Sequence, residues 1–544
     1  MAAQLMPTST FEKIQQIQIH KPRLWSISSV RFETAILISL STIVFGLMRT
    51  SLGMAMVDIV DRNETTDPMF HMDWNTDEQA RIHTSFYIGA FASVFPAEYL
   101  TQKFGAKQLI TYGLLTNAIG SIATIFVAIY LRSYIPVLAI RFIMGFGFGL
   151  MIPAGAVLIT KWFPMDEKST AMAIFTTGNQ VGISASLFLT AKLCQLPYFN
   201  GWPFAFGLYG IIGLLFLIVW VVRIADKPRQ SKYITATELM YIQGGKARRN
   251  RSNTVVRPTP YRKILLNGCV FGICACSFAQ SFVIVALITY LPKFNQIAMK
   301  MNMTNNGIWS SLPFIVQMIT KLLFAVIADR VKQCNVDVTT VTKASNALAS
   351  FGSAIFIIIA ASLPLEYIQL IQISITCSMA LFSAYVPGYN TSIVTVAPQF
   401  TAFISAYGQM YSQVASTLAP ILIGRITRHD TAEEWKIAFY SLAGILIVTG
   451  LIFQIFGHGR TESWGETPSN ATSLRLSTCT INDDGQRKLS LLERHNTNLL
   501  SEPQNGVARK KVSRVSYADE EIALPARLED LENDVIEEEN GETA

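Results

Sequence analysis

The sequence predicts an all-α membrane protein of twelve transmembrane helices arranged as two six-helix pseudo-repeats. Three observations carry this reading. Apolar residues make up 51% of the 544 and charged ones only 15%, against about a quarter charged in a soluble protein. The deficit lies between about residues 32 and 457, and both ends read as ordinary solvated polypeptide. Inside that stretch, apolar runs of the roughly 20 residues needed to cross a bilayer recur twelve times, six on each side of a polar interval.

Residues 1–31 are polar, with Lys13, Lys21, Arg23 and Arg31 ahead of the first apolar run. They read as a cytoplasmic tail with no cleavable signal peptide. The first lobe, 32–224, holds runs near 33–60, 80–101, 108–131, 135–160, 168–193 and 203–224. A basic cytoplasmic linker follows at 225–263. The second lobe, 264–457, holds runs near 264–292, 306–330, 343–362, 367–392, 401–425 and 436–457. Residues 458–544 read as a disordered cytoplasmic tail, because so polar a segment cannot bury enough apolar surface to fold.

Orientation follows from charge. Arg223 to Lys263 holds eleven Lys or Arg against two acids, and the bias of basic residues to cytoplasmic loops puts this linker inside. With an even span count both tails share that side. The first outer loop, "DIVDRNETTDPMFHMDWNTDEQ", is acidic as expected. The sequons at Asn63 and Asn302 fall in outer loops and are the candidate glycosylation sites. Those at Asn390 and Asn470 fall in a span and in the tail.

The six-linker-six layout suggests a repeat. "EYLTQKFGAK" after the second span and "IADRVKQ" after the eighth put basic residues at equivalent cytoplasmic turns, with Asp329 and Arg330 as candidate structural or gating residues. In the C-terminal tail, eleven acids face one basic residue between Asp519 and Ala544. Ser513 and Ser516 beside "RKK" are candidate kinase sites, and Leu491-Leu492 and Leu499-Leu500 are candidate sorting signals.

The charge of +7 sits in loops that the topology rule explains, so no nucleic-acid partner is expected. The expected surroundings are a lipid bilayer and a small anionic solute. Seven cysteines fall mostly in or beside apolar segments and read as free thiols. Cys274-x-Cys276 lacks a His or carboxylate at metal spacing, so no metal is expected. No G-x-S-x-G, Walker loop or His-Glu-x-x-His motif occurs, and neither an enzyme nor a built-in ATP-driven pump is predicted. No cofactor is expected; a coupling ion would be H⁺ or Na⁺.

Charges inside spans cost several kcal/mol or more to insert, which makes them the candidate site residues. Arg49, in "FGLMRTSLGM", either snorkels to the outer surface or faces a packed or water-lined gap, as the flanking Gly46, Thr50, Ser51 and Gly53 favour. Its donor fork suits a carboxylate or phosphate. His83 is either a satisfied helix-end histidine or a proton carrier for coupling, with Tyr87 one turn along on its face. Lys321 either snorkels to the cytoplasmic side or faces the cavity as a counterpart to Arg49. Gln280, Asn179, Gln180 and Asn390 either line a substrate path or hydrogen-bond neighbouring helices.

Quoted in chain order, "FGLMRTSLGMAMV", "IHTSFYIGA", "RFIMGFGFGLMIPAG", "GIWSSLPFIV", "PGYNTSIVTVAP", "EEWKIAFY" and "GHGRTESWGE" resemble the anion:cation symporters of the major facilitator superfamily. That family includes vesicular glutamate transporters, sialin and sodium/phosphate cotransporters. The resemblance spans about residues 31–466. It implies a two-lobed major facilitator fold working by alternating access, with substrate bound near the midplane. It also implies that Arg49 takes the substrate anion, that His83 matches a second-span histidine implicated in transport, and that Arg141 matches the arginine opening the fourth span.

Three departures accompany it. Phe148 stands where the family commonly has a fourth-span acid tied to proton coupling. Gln280 replaces a seventh-span arginine of the glutamate branch, and Thr395 replaces a tenth-span acid. These argue against glutamate as substrate and leave coupling to protons or sodium open. The expected function is secondary transport of small organic or inorganic anions across a plasma, endolysosomal or vesicular membrane. The alternatives are a voltage-driven anion facilitator without a coupled ion, and a non-transporting receptor or scaffold acting through its tail.

Overall fold

Each of the twelve apolar runs lies on a helical rod. The computed structural model describes residues 29–60, 69–196, 201–242, 260–334 and 336–465. In the first half the rods are α1 (Val30–Val60), α2 (Thr76–Val94) continued by α3 (Ala97–Phe104), α4 (Ala106–Leu131), α5 (Tyr134–Gly149) continued by α6 (Met151–Trp162), α7 (Met165–Leu193) and α8 (Trp202–Arg223). After the short α9 (Tyr261–Leu265) come α10 (Gly268–Ile297), α11 (Met303–Gln333), α12 (Val338–Ala347) with α13 (Ser353–Ser362), α14 (Ile368–Phe382) with α15 (Tyr389–Thr395), α16 (Thr401–Ile426) and α17 (Ala432–Phe456). Among the described residues the fold is all-α.

Local sequence sets the ends and the breaks. Asn75 with Glu78 and Thr431 with Glu434 close capping boxes that start α2 and α17, each satisfying two orphan N–H groups. Asn267 and Asn302 cap α10 and α11 in the simpler way. The rods break near prolines, which lack the N–H that would bond four residues back. Pro153 spares the Gly149 carbonyl where α5 ends. Pro387 does the same for Ser383, where α14 gives way to the turn Ser383–Tyr385.

Nine helical segments among the described residues are long and apolar enough to cross a membrane by length and composition. The other three rods are α2 with α3, α7, and α16. These pack between the halves, α2 against α16 and α7 against α11, so their polar content faces protein rather than lipid. Hydroxyls and amides tie neighbouring rods, as expected where apolar packing alone gives little driving force. Ser39 Oγ of α1 donates to the Ile174 carbonyl of α7 at 3.0 Å. Asn117 Nδ2 of α4 donates to the Met144 carbonyl of α5 at 3.0 Å.

Three expectations need correction. Arg31 is not solvated tail: it is fully buried at the start of α1, with its Nε 2.8 Å from Glu238 and its Nη1 2.5 Å from Glu167. Part of the linker is docked rather than loose, because Glu238 comes from residues 236–242, which are helical. Asp329 and Arg330 do not stand in a turn, since α11 continues to Gln333. Asp329 pairs one turn along with Lys332 at 3.4 Å, and Arg330 is exposed. Asn63, Asn470, Ser513, Ser516 and both dileucines lie outside the described residues.

Candidate functional site

α1 is fixed on both sides of Arg49. A Cβ at Gly46 would stand 2.8 Å from the Gly182 Cα of α7, and one at Gly53 would stand 2.6 Å from the Ile288 carbonyl oxygen of α10. Only glycine admits either approach. Between these crossings the Arg49 guanidinium lies 4.7 Å from the Phe148 ring centroid. Phe148 is itself braced by Phe45 at 6.1 Å and Phe86 at 5.6 Å. A cation over such a face gains about 0.5–2 kcal/mol, the more so away from water.

The Arg49 side chain is half-buried, its Nε has no hydrogen-bond partner, and no carboxylate lies in ion-pair range among the described residues. A second guanidinium shares its surroundings. Arg141 of α5 is 1% exposed and 5.4 Å from the Phe206 ring centroid. Its Nε and Nη2 also make no hydrogen bond. Buried Tyr87 interacts electrostatically with both arginines, and its hydroxyl engages Thr289 of α10. Two desolvated cations without an acid are costly.

His83 stands one turn above Tyr87, 8% exposed, with its ring centroid 6.4 Å from that of Tyr290. Tyr290 is held by donating to the Pro420 carbonyl at 2.8 Å. His83, Thr289, Tyr290 and Gly53 form the floor of a cavity of about 1110 Å³ at the end of the molecule opposite the linker. Arg49, Tyr87 and Arg141 do not line that cavity; they lie below its floor.

The second half contributes neutral groups. The Tyr389 hydroxyl donates to Gln280 Oε1, half-buried Asn390 follows it on α15, and the Tyr407 and Tyr411 hydroxyls meet at 3.2 Å. Gln180 of α7 donates to Gln317 of α11 at 2.8 Å, crossing the halves; Asn179 beside it is half-buried. Lys321 is one turn from Gln317, on the same face, and is half-buried with no ion pair among the described residues. Asn302 caps α11 by accepting from the Asn305 N–H at 2.8 Å and is exposed.

The structure therefore brings Arg49, Tyr87, Arg141 and His83 together, with Thr289 and Tyr290 opposite them. It leaves Gln280 and Asn390 in a separate neutral group, and Lys321 and Asn179 nearer the linker. Sequence reasoning marked Phe148 only as replacing a family acid and missed it as the support of Arg49, since a ring in an apolar run does not say which polar group it will meet. It also missed the ties across the halves. Arg428 meets Asp77 at 2.7 Å, Lys293 meets Thr76 at 3.3 Å and Thr304 meets Gln195 at 2.5 Å, all toward the end opposite the linker. Toward the linker, Ala402, Ser405, Ala406 and Gln409 give α16 an exposed face of small and polar residues.

Residues 38–420 match the family model of the Major Facilitator Superfamily. The chain is 28% identical over 395 residues to the uncharacterized transporter slc-17.3 of Caenorhabditis elegans, covering 72% of this chain and 73% of that one. It is 25% identical over 459 residues to sialin of Homo sapiens, covering 80% and 91%. It is also 25% identical over 448 residues to vesicular glutamate transporter 3 of Danio rerio, covering 79% and 72%. Among solved structures, the crystal structure of a D-xylose-proton symporter covers 80% of this chain and 100% of its own, with a TM-score of 0.60 at 14% identity. That likeness concerns the fold.

Proposed function

This chain belongs to the Major Facilitator Superfamily, and from that premise we propose that it is a multi-pass secondary transporter moving small anions by alternating access. The observation that carries the anion is the pair of guanidiniums, Arg49 and Arg141, both in electrostatic reach of Tyr87 and both with nitrogens that make no hydrogen bond, with no carboxylate paired to either among the described residues. A fixed positive field in low-dielectric surroundings is complementary to a carboxylate or phosphate. The names of relatives such as sialin and vesicular glutamate transporter 3 support the same class. So does the resemblance of the sequence to anion:cation symporters.

The test is reconstitution in proteoliposomes with a panel of labelled organic and inorganic anions. Arg49→Ala abolishes saturable uptake of whichever anion is found, and Arg49→Lys restores part of it, because a point charge replaces the fork but not its geometry. Uptake by Arg49→Ala at the parent rate would remove Arg49 from the site.

One observation favours a second reading, a facilitator driven by voltage alone. The group beneath Arg49 is the Phe148 ring, which cannot exchange a proton. On the symport reading His83 and the H⁺ or Na⁺ gradient supply coupling; on the facilitator reading neither gradient matters. Uptake that follows voltage after both gradients are collapsed selects the facilitator, and strict dependence on either one selects symport. The proposed placement has both termini cytoplasmic, in a plasma, endolysosomal or vesicular membrane. The tail then offers contacts to kinase or sorting partners on that side.

A further inference from the structure

The cavity above the His83 floor has its own charge arrangement. Its cations are Lys293, Lys300 and Arg428, and its acids are Asp58 and Asp430. Asp58 is committed to the fold, since its Oδ2 accepts from the Trp202 backbone N–H at 2.9 Å and so caps α8. Asp430 holds Lys293 at 3.0 Å, both side chains largely shielded. Its Oδ1 is buried without a hydrogen bond to the described residues. Lys300 has no ion pair among the described residues. Lys300 and Asp430 both adopt left-handed backbone, φ 51° and 55°, a region that favours glycine.

The same residues tie the two halves. Lys293 of α10 donates to Thr76 of α2 at 3.3 Å. Arg428, in the loop before α17, pairs with Asp77 of α2 at 2.7 Å. The Arg428–Asp77 pair is the more exposed, and exposed pairs contribute little to stability. The shielded Lys293 is positioned by Asp430 of its own half, whose second oxygen is unsatisfied, so its bond to Thr76 is the tie across the halves that an anion can compete for.

We propose that this cavity is an external anion antechamber whose occupant unlatches the far end of the transporter. An oxyanion, carboxylate or phosphate, takes Lys293 from Asp430 and Thr76 and finds its second contact in Lys300. The exchange replaces one anion on Lys293 with another, so net charge near the ammonium is conserved while the bond across the halves is lost. A cavity of about 1110 Å³ accommodates a small organic anion, given that ligand pockets commonly run to about 300–1,000 Å³. The idea rests on the anion reading above but concerns a site separate from the arginine pair.

The experiment uses the full chain at the surface of cells, with Cys194→Ser removing the thiol of the cavity and Thr50→Cys placing one below its floor. The readout is the rate at which a membrane-impermeant thiol reagent labels position 50 from outside. External inorganic phosphate and, separately, acetate are titrated against a dextran sulfate too large to enter, at equal ionic strength and equal surface amounts of protein. Either probe accelerates labelling saturably, by about fivefold for the loss of one hydrogen bond across the halves; phosphate alone acting narrows the occupant to phosphates, acetate alone to carboxylates.

Lys293→Gln and Lys300→Gln remove the dependence on added anion, and Thr76→Ala, which deletes the Lys293 bond across the halves, labels fast without any. Arg49→Ala keeps the acceleration while losing uptake, which separates this site from the one below. Labelling indifferent to both probes, with Thr76→Ala at the parent rate, overturns the antechamber and leaves the arginine site untouched.

Discussion

At Arg49 the neighbour that matters is a ring rather than a carboxylate. Phe148 supports the guanidinium at 4.7 Å without neutralising it, so the charge stays available to a ligand. Phe148→Leu keeps an apolar side chain at this position and removes the quadrupole. The expected result is a rise in KM of about three- to tenfold with kcat little changed, from a loss of about 0.5–1.5 kcal/mol, measured by initial rates of anion uptake. Phe148→Glu places a fixed anion on the guanidinium and abolishes uptake at pH 7; wild-type uptake from that variant would mean that Arg49 does not hold the substrate. The arginine was legible in the sequence because a permanent charge in an apolar run is conspicuous. Its support was not, because aromatic side chains are ordinary there and only the fold brings the Phe148 ring against Arg49 and Phe45 of α1.

At the scale of elements, the linker shows how two isolated acids do structural work. Both acids between Arg223 and Lys263 bind the first half. Glu238 accepts from the Val30 and Arg31 N–H groups, capping α1, and meets the buried Arg31 guanidinium at 2.8 Å. Glu238→Ala leaves a buried cation short of a partner, which costs about 3 kcal/mol or more; the purified protein should melt several degrees lower. Asp226 accepts from Lys161 at 2.5 Å and from the Lys107 N–H at 3.2 Å. Burial works to raise its carboxyl, but these two donors outweigh it and hold it below the usual carboxylate range. A lowered carboxyl stabilises the fold above its unfolded value, about 3.9, and that contribution is lost as pH falls through the folded value. The melting-temperature gap between parent and Asp226→Asn should therefore be full above about pH 5 and close as pH falls below about 4. A gap that persists unchanged at the acid end would rule out the ion pair as its cause.

Across the whole molecule, the legible and illegible parts divide by what each rod faces. Rods against lipid, such as α8 and α17, are apolar nearly throughout and declare themselves by composition. The second, fifth and eleventh rods carry polar residues because they face the opposite half, and they fall below the hydropathy that marks a span. Their place was readable only from the even spacing of twelve runs. Which residues meet across the halves was not readable at all, since Asp77, in the first turn of α2, and Arg428, in the loop before α17, are 351 positions apart. Alternating access requires those far-end contacts to break in each cycle. Asp77→Cys with Arg428→Cys, joined by a short bifunctional thiol reagent, should hold the far end shut and stop uptake from that side. The arginine site of the cross-linked protein should still bind a labelled anion presented from the linker side, because only the far end is locked. Reduction of a cleavable linker should restore uptake, and either single variant should be unaffected by the reagent. Full uptake in the cross-linked state would mean that the halves do not part at this end, and the transport cycle would have to run through another opening.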